Sequence, residues 1–132
     1  MKVRIQCHDH PRLVTGALQN LRGRADLVWC LPNRALYEPA LVHALILVSI
    51  RQRLPLVGFS EAFVKAGALV GFLPDYRDIG DQTAALVLAY RSGQPLGRKE
   101  HPRSVRTMVN ERVARALGIE LKGGPGEVEF VK

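Results

Sequence analysis

The stretch RLPLVGFSEAFVKAGALVGFLPDY, residues 53–76, decides the fold of this 132-residue chain. Its pattern predicts two apolar strands, residues 54–59 and 67–73, joined by a short helix that Ser60 caps. Pro55 stands near the start of the first strand, where a missing N–H donor does least harm. Strands and helices that alternate over such short connections are typical of parallel pairing. We therefore expect an α/β fold, with a mostly parallel sheet flanked by helices.

The residues before this stretch continue the alternation. We expect a strand at residues 3–7 and an amphipathic helix from Pro11 towards Gly23, which can adopt the left-handed conformation at a helix end. Residues 27–31 form a near-continuous apolar run, typical of a strand that is covered on both faces. The helix predicted at residues 35–51 is apolar on nearly all sides, so we expect it to be deeply buried or to lie in an interface.

The residues after this stretch begin with a helix-capping signature. Asp75 is predicted to cap a helix at residues 76–91, with Asp78 in the place of the usual glutamate of a capping box. Residues 92–102 are rich in glycine, proline and basic side chains, so we expect a long connecting loop there. The chain then ends in a strand, a helix capped by Asn110 and an edge strand, at residues 103–109, 110–117 and 127–131.

The composition indicates one globular domain, because 47% of the residues are apolar and only 23% are charged. A net charge of +7 makes nucleic acid a partner to consider. Glu100 and Glu111 interrupt the densest basic stretch, residues 98–115, which also lacks the aromatic side chains on which bases stack. A cytoplasmic regulatory or nucleic-acid-binding protein that uses a basic face is therefore an alternative function that we do not favour.

Catalytic and metal sites have little support in the sequence. Cys7, His8, Asp9 and His10 could each bind a metal, but consecutive residues cannot all face one ion and no second ligand pair accompanies them. Cys30 could form a nucleophile pair with one of those histidines, but it continues an apolar run and is more simply a buried thiol. The chain has neither a nucleophile elbow nor a phosphate-binding loop. We therefore expect no enzyme activity, no metal and no cofactor.

Ligands of open α/β sheets bind beyond the carboxyl ends of the strands. These positions correspond here to residues 8–10, 31–34, 59–63 and 74–77. The polar residues among them, Asn33, Ser60 and Asp75, also stand where helix caps are expected, so the sequence leaves both roles open.

Five segments in this order follow the pattern of one known family. They are residues 25–33, 53–60, 63–70, 74–80 and, as the fifth, 109–110 with 114–119. The most specific pieces are LPLVGFS at 54–60, VKAGALV at 64–70 and PDYRDIG at 74–80. The chain resembles the ABC transporter substrate-binding protein family with a type I periplasmic-binding fold, whose members bind amino acids and other small solutes.

The resemblance implies a single α/β domain, residues 1–132, made of parts of the family fold. Residues from about 1 to 65 resemble the later part of the C-terminal lobe, about 66 to 95 the segment that returns across the hinge, and about 103 to 132 the final part of that lobe. Family members are about twice as long, so the chain looks like a truncated or stand-alone relative. The helix at 76–91 would then lack the sheet on which it normally packs.

The resemblance also implies a function, that of a non-enzymatic solute-binding component of an ABC transporter. Family ligand contacts transfer to Asn33, Ser60, Glu61, Asp75 and Tyr76, although the family often has aspartate where Asn33 stands. The implied partners are an amino-acid-like solute and an ABC permease.

Exposed apolar helix surface would also favour a homo-oligomer. The first residues show no apolar segment of a signal peptide, which predicts a cytoplasmic protein as written, or a periplasmic one if the chain is a fragment of a longer exported protein. No membrane span is expected.

Overall fold

A computed structural model of the chain describes residues 11–33, 37–95, 97, 101–121 and 128–131. Over these ranges it contains five helices and five strands that alternate along the chain. The helices are α1 (Pro11–Asn20), α2 (Pro39–Gln52), α3 (Glu61–Ala66), α4 (Tyr76–Arg91) and α5 (Glu111–Leu117). The strands are β1 (Val28–Trp29), β2 (Leu56–Gly58), β3 (Val70–Pro74), β4 (Val105–Asn110) and β5 (Val128–Val131). The predictions for residues 3–7 and for Cys7 to His10 lie outside the described residues, as do residues 96 and 98–100 of the loop predicted at 92–102.

The described strands form one sheet whose spatial order, β1-β2-β3-β4-β5, is also their order in the chain. Neighbouring strands are parallel except for β3 and β4, which are antiparallel from Val70 opposite Val109 to Pro74 opposite Val105. The antiparallel pair arises because the chain leaves β3 through α4 and re-enters the sheet beside the point where β3 ended. There the Asp75 N–H donates to the Ser104 carbonyl, 3.3 Å away. The predicted α/β fold with a mostly parallel sheet is confirmed.

The main core lies where α1, α2 and α3 pack on β2. Its buried residues are Leu18, Cys30, Leu45, Ile46, Leu54, Leu56, Phe63 and Ala68. A smaller cluster joins α3 to β3 and β4 through Val64, Leu73 and Met108. The helix expected at 35–51 begins four residues later and is not buried all round, since Leu47 is 56% exposed.

Local capping signals were predicted well at three of four positions. The Ser60 hydroxyl accepts from the Phe63 N–H at 3.2 Å, and the Asn110 side chain accepts from the Val113 N–H at 3.1 Å. Asp75 accepts from two N–H groups of the first turn of α4. Asn33 does not cap α2, because that helix starts at Pro39 after Glu38, whose side chain makes no capping hydrogen bond.

The strand at 27–31 differs from its prediction. It was expected to be covered on both faces, but Leu27, Trp29 and Leu31 are each more than half exposed. Among the described strands β1 pairs with β2 alone and stands at one end of the sheet order. An apolar run therefore predicted the strand correctly but not its burial.

Helix α4 is the least buried element of the described chain. None of its sixteen residues is buried. It is tied to the residues that precede β4 by two polar contacts: Arg103 Nη2 lies 2.9 Å from Asp78 Oδ1, and Gln82 Nε2 donates to the His101 carbonyl at 3.2 Å. Only one half of the predicted capping box is formed, because the Asp75 N–H donates to the Ser104 carbonyl and not to Asp78.

Among the described residues no helix is both long and apolar enough to cross a membrane.

Candidate ligand-binding cavity

A cavity of about 790 Å³ lies at the carboxyl ends of β1 and β2. Pro32 and Asn33 follow β1 on one side of it, and Phe59 and Ser60 follow β2 on the other. Helices α2 and α3 supply the remaining walls. The lining residues are Pro32, Asn33, Tyr37, Pro39, Ala40, Val42, His43, Phe59, Ser60, Ala62, Phe63 and Ala66. This is the edge of the sheet at which parallel strands place ligands.

Three aromatic rings pack together in the wall of the cavity. The Phe59 and Phe63 rings are stacked with centroids 5.3 Å apart, and Tyr37 meets them at 5.1 and 5.6 Å. Such distances and tilted or offset geometries are the favourable ones for aromatic side chains. The first turn of α3 positions two of the rings, because Ser60 caps that helix between them. The result is a rigid apolar wall.

Few polar groups line the cavity, and none of the described lining residues is Asp, Glu, Lys or Arg. The Ser60 hydroxyl already accepts the capping hydrogen bond from Phe63. The other polar side chains that line the cavity are Asn33, Tyr37 and His43, of which His43 is exposed on α2. A pocket of this kind binds mainly through apolar contact, and its few polar groups orient the ligand.

Cys30 and Tyr37 contact each other behind the cavity. Burial raises the pKa of the Cys30 thiol, which the Tyr37 hydroxyl only partly offsets. The pKa of Tyr37 is also raised, first by burial and then by the neighbouring thiol. Since the thiolate is the reactive form of cysteine, a thiol that stays protonated is a poor nucleophile. The interpretation of Cys30 as a buried thiol is confirmed.

The structure brings together two of the five predicted site residues. Asn33 and Ser60 line the cavity, whereas Glu61, Asp75 and Tyr76 do not. Glu61 is exposed, and its ion pair with Lys65 lowers the pKa of its carboxyl group. Asp75 caps α4, and Tyr76 is 79% exposed beside it.

Sequence reasoning missed the aromatic character of the site. Phe59 and Phe63 fall in a segment expected at the ligand-binding edge, but neither was singled out. Their spacing of four residues across a helix start was the available signal. Tyr37 and His43 had no such signal, because they reach the cavity only through the packing of α2 against α3.

The described residues contain no cluster of three or more His, Cys, Asp or Glu side chains that could hold a metal ion. The described part of the basic stretch is partly neutralised. Arg103 pairs with Asp78, and Arg106 pairs with Glu129 at 3.1 Å.

Comparison with known proteins finds the same fold in solved structures. One is the ligand-free, open structure of CD0873, a substrate-binding protein with adhesive properties from Clostridium difficile, with a TM-score of 0.67 and 18% identity. The second is a conserved domain protein from Vibrio cholerae, with a TM-score of 0.59 and 23% identity. The third is an ABC domain from Streptococcus pneumoniae in complex with L-Trp, with a TM-score of 0.60 and 15% identity.

Each of the three structural alignments covers most of this chain but less than half of the neighbouring protein. They cover 92%, 86% and 90% of this chain, and 41%, 38% and 42% of the respective neighbours. No family model and no curated protein matches the sequence. The fold of this chain is therefore similar to that of substrate-binding proteins, and it corresponds to about two fifths of their length.

Proposed function

We propose that this chain is a non-enzymatic binding module that holds a small solute, such as an amino acid, at the carboxyl ends of β1 and β2. The observation that carries the proposal is the apolar cavity of about 790 Å³ at that edge of the sheet. Ligand pockets generally measure roughly 300–1000 Å³ and combine apolar walls with a few polar groups. The cavity has both properties.

The three-ring wall favours a solute with an aromatic or other flat apolar part. Tyr37 and Phe59 are partly exposed and offer ring surface against which such a group can pack, and the buried Phe63 supports both rings from behind. The neighbour from Streptococcus pneumoniae was solved with L-Trp, which supports an aromatic amino acid as the first compound to test. Asn33 would orient its polar end through the amide oxygen or nitrogen.

The proposed role is solute capture for an ABC permease, the partner that the family resemblance implies. Substrate-binding proteins as structural neighbours support this role. Glu61, Asp75 and Tyr76 remain proposed contacts. Asp75 and Tyr76 follow β3, which is parallel to β2, so they would meet only a solute that extends beyond the cavity along the same edge of the sheet.

Isothermal titration of the whole chain with L-Trp, L-Phe, L-Leu and L-Glu tests the proposal. We expect saturable binding with one site per chain, and tighter binding of the aromatic compounds than of L-Glu. Ala62 is an exposed helical residue in the cavity wall, so Ala62→Trp fills the cavity without removing a core contact. That variant should weaken binding at least tenfold.

Ala85→Trp is the matched control, because Ala85 is an exposed helical residue of α4 and does not line the cavity. It should leave binding unchanged, and far-ultraviolet circular dichroism should show both variants folded. The proposal fails if no compound of the panel binds saturably, or if Ala62→Trp and the parent chain bind equally well.

A further inference from the structure

One face of α4 carries a self-complementary set of exposed side chains. Asp81, Ala84, Val87, Leu88 and Arg91 recur at spacings of three and four residues, which puts them on one side of the helix. We call this set the α4 face. Val87 is 52% exposed and Leu88 is 64% exposed. Within the described part of the chain neither Asp81 nor Arg91 makes an ion pair.

The opposite side of α4 is the one turned towards the rest of the chain. The half-buried residues of the helix are Asp78, Ile79, Gln82, Leu86 and Ala89. They form a stripe of their own at spacings of three and four residues, and two of them make the contacts to Arg103 and His101 described above. The α4 face therefore points away from the residues that precede β4.

The α4 face exposes two neighbouring apolar side chains, Val87 and Leu88, between two exposed side chains of opposite charge, Asp81 and Arg91. An exposed apolar face of this kind marks an interaction site.

We propose that the α4 face binds the same face of a second copy, with the two helices antiparallel. Asp81 and Arg91 lie five residues before and after residue 86, and Ala84 and Leu88 lie two residues before and after it. A two-fold axis beside residue 86 therefore brings Asp81 next to the partner's Arg91. It also sets the small Ala84 against the partner's Leu88. By symmetry each of these contacts occurs twice.

The charges of Asp81 and Arg91 favour the antiparallel arrangement of the two α4 helices over a parallel one. In a parallel pair Asp81 would lie beside the partner's Asp81, and Arg91 beside the partner's Arg91. Like charges placed together at an interface are unfavourable, whereas complementary charges select the partner and its register. The interaction goes beyond the proposed solute binding and does not depend on any ligand.

Sedimentation velocity of the whole chain over a hundredfold concentration range tests this interface. We expect a mass of twice 14.6 kDa that falls to the monomer on dilution. Leu88→Arg, Asp81→Arg and Arg91→Asp should each raise the dimer dissociation constant at least tenfold. The double variant Asp81→Arg/Arg91→Asp restores opposite charges at both positions and should recover most of that loss.

Leu47→Arg provides the matched control, because Leu47 is also a mostly exposed leucine, on α2. It should leave the dissociation constant unchanged. Circular dichroism should show all variants folded, since the α4 face buries no side chain within one copy. A monomer at every concentration overturns the proposal. It is also the result expected if α4 binds a different protein and not a second copy of this chain. A dimer that Leu47→Arg dissociates and Leu88→Arg does not, or a double variant no better than the single ones, also overturns it.

Discussion

Helices α2 and α4 differ in composition and in surroundings, since α2 has one charged residue and α4 has four. Helix α2 buries Leu45, Ile46 and Ser49 against the core that supports the cavity, whereas α4 buries no residue. Both begin and end at residues with recognisable local signals, so both form as helices. Burial therefore follows the apolar content of each helix as well as what the fold places next to it.

Glycines show the same contrast. A Cβ atom on Gly67, at the end of α3, would come within 2.5 Å of Ile46 Cγ2, and one on Gly58 within 2.7 Å of Phe63 Cδ1. A Cβ atom on Gly80 in α4 would meet nothing within 4 Å. We call α2, α3 and β2, which surround the cavity and its core, the cavity half of the molecule. Its backbone is closely surrounded by side chains, whereas the backbone of α4 at Gly80 is not.

The largest difference between the two regions should appear when a large side chain is removed. Leu56→Ala empties a fully buried position of β2 and should lower the free energy of unfolding by about 2–5 kcal/mol. Tyr90→Ala removes a larger but mostly exposed side chain of α4 that lies outside the α4 face. It should change the free energy of unfolding by less than about 0.5 kcal/mol. Urea denaturation followed by circular dichroism measures both. If both variants lost the same free energy of unfolding, Tyr90 would be packed against the rest of the chain, contrary to this description of α4.

A smaller effect, of opposite sign in the two regions, should come from glycine to alanine substitutions. Gly67 has a φ of 139°, so Gly67→Ala combines backbone strain with the contact to Ile46 and should destabilise the fold by about 1–3 kcal/mol. Gly80→Ala fills open space inside a helix and should stabilise it by about 0.5–1 kcal/mol. Thermal unfolding of the two variants at low protein concentration distinguishes these signs. A stabilising Gly67→Ala would contradict the packing described for α3.

The smallest effect concerns pH and should be confined to the cavity half. The raised pKa values of Cys30 and Tyr37 mean that the folded chain keeps protons that the unfolded chain loses above about pH 8.5 and about pH 10. Their contribution to stability is complete below those values and falls as the pH rises. Unfolding free energies measured from pH 7 to 10.5 should therefore decline, and Cys30→Ala should flatten the first part of the decline. An unchanged slope in that variant would show that Cys30 is not responsible.

The order of the elements and most helix caps could be predicted from the sequence, because they depend on residues within one turn of each other. Ser60, Asp75 and Asn110 are examples. The antiparallel pairing of β3 with β4 was not predicted, since it depends on the path by which the chain returns from α4.

The exposure of Trp29 and the separation of Asn33 from the start of α2 were missed for a related reason. The first depends on which strands flank β1, and the second on where α2 begins. Likewise, the edge of the sheet that holds the cavity was predictable, but the presence of Tyr37 and His43 on its wall was not.

The central claim is that solute binding belongs to the cavity half and not to residues 80–91 of α4. The most direct test is a titration of the ¹⁵N-labelled chain with L-Trp, followed by amide shifts in two-dimensional nuclear magnetic resonance. We expect saturable shifts at Asn33, His43, Phe59 and Ser60 and unchanged amides from residues 80 to 91. The claim would be contradicted by shifts that do not saturate. It would also be contradicted by shifts confined to residues 80–91 while the amide signals of the cavity residues are unchanged.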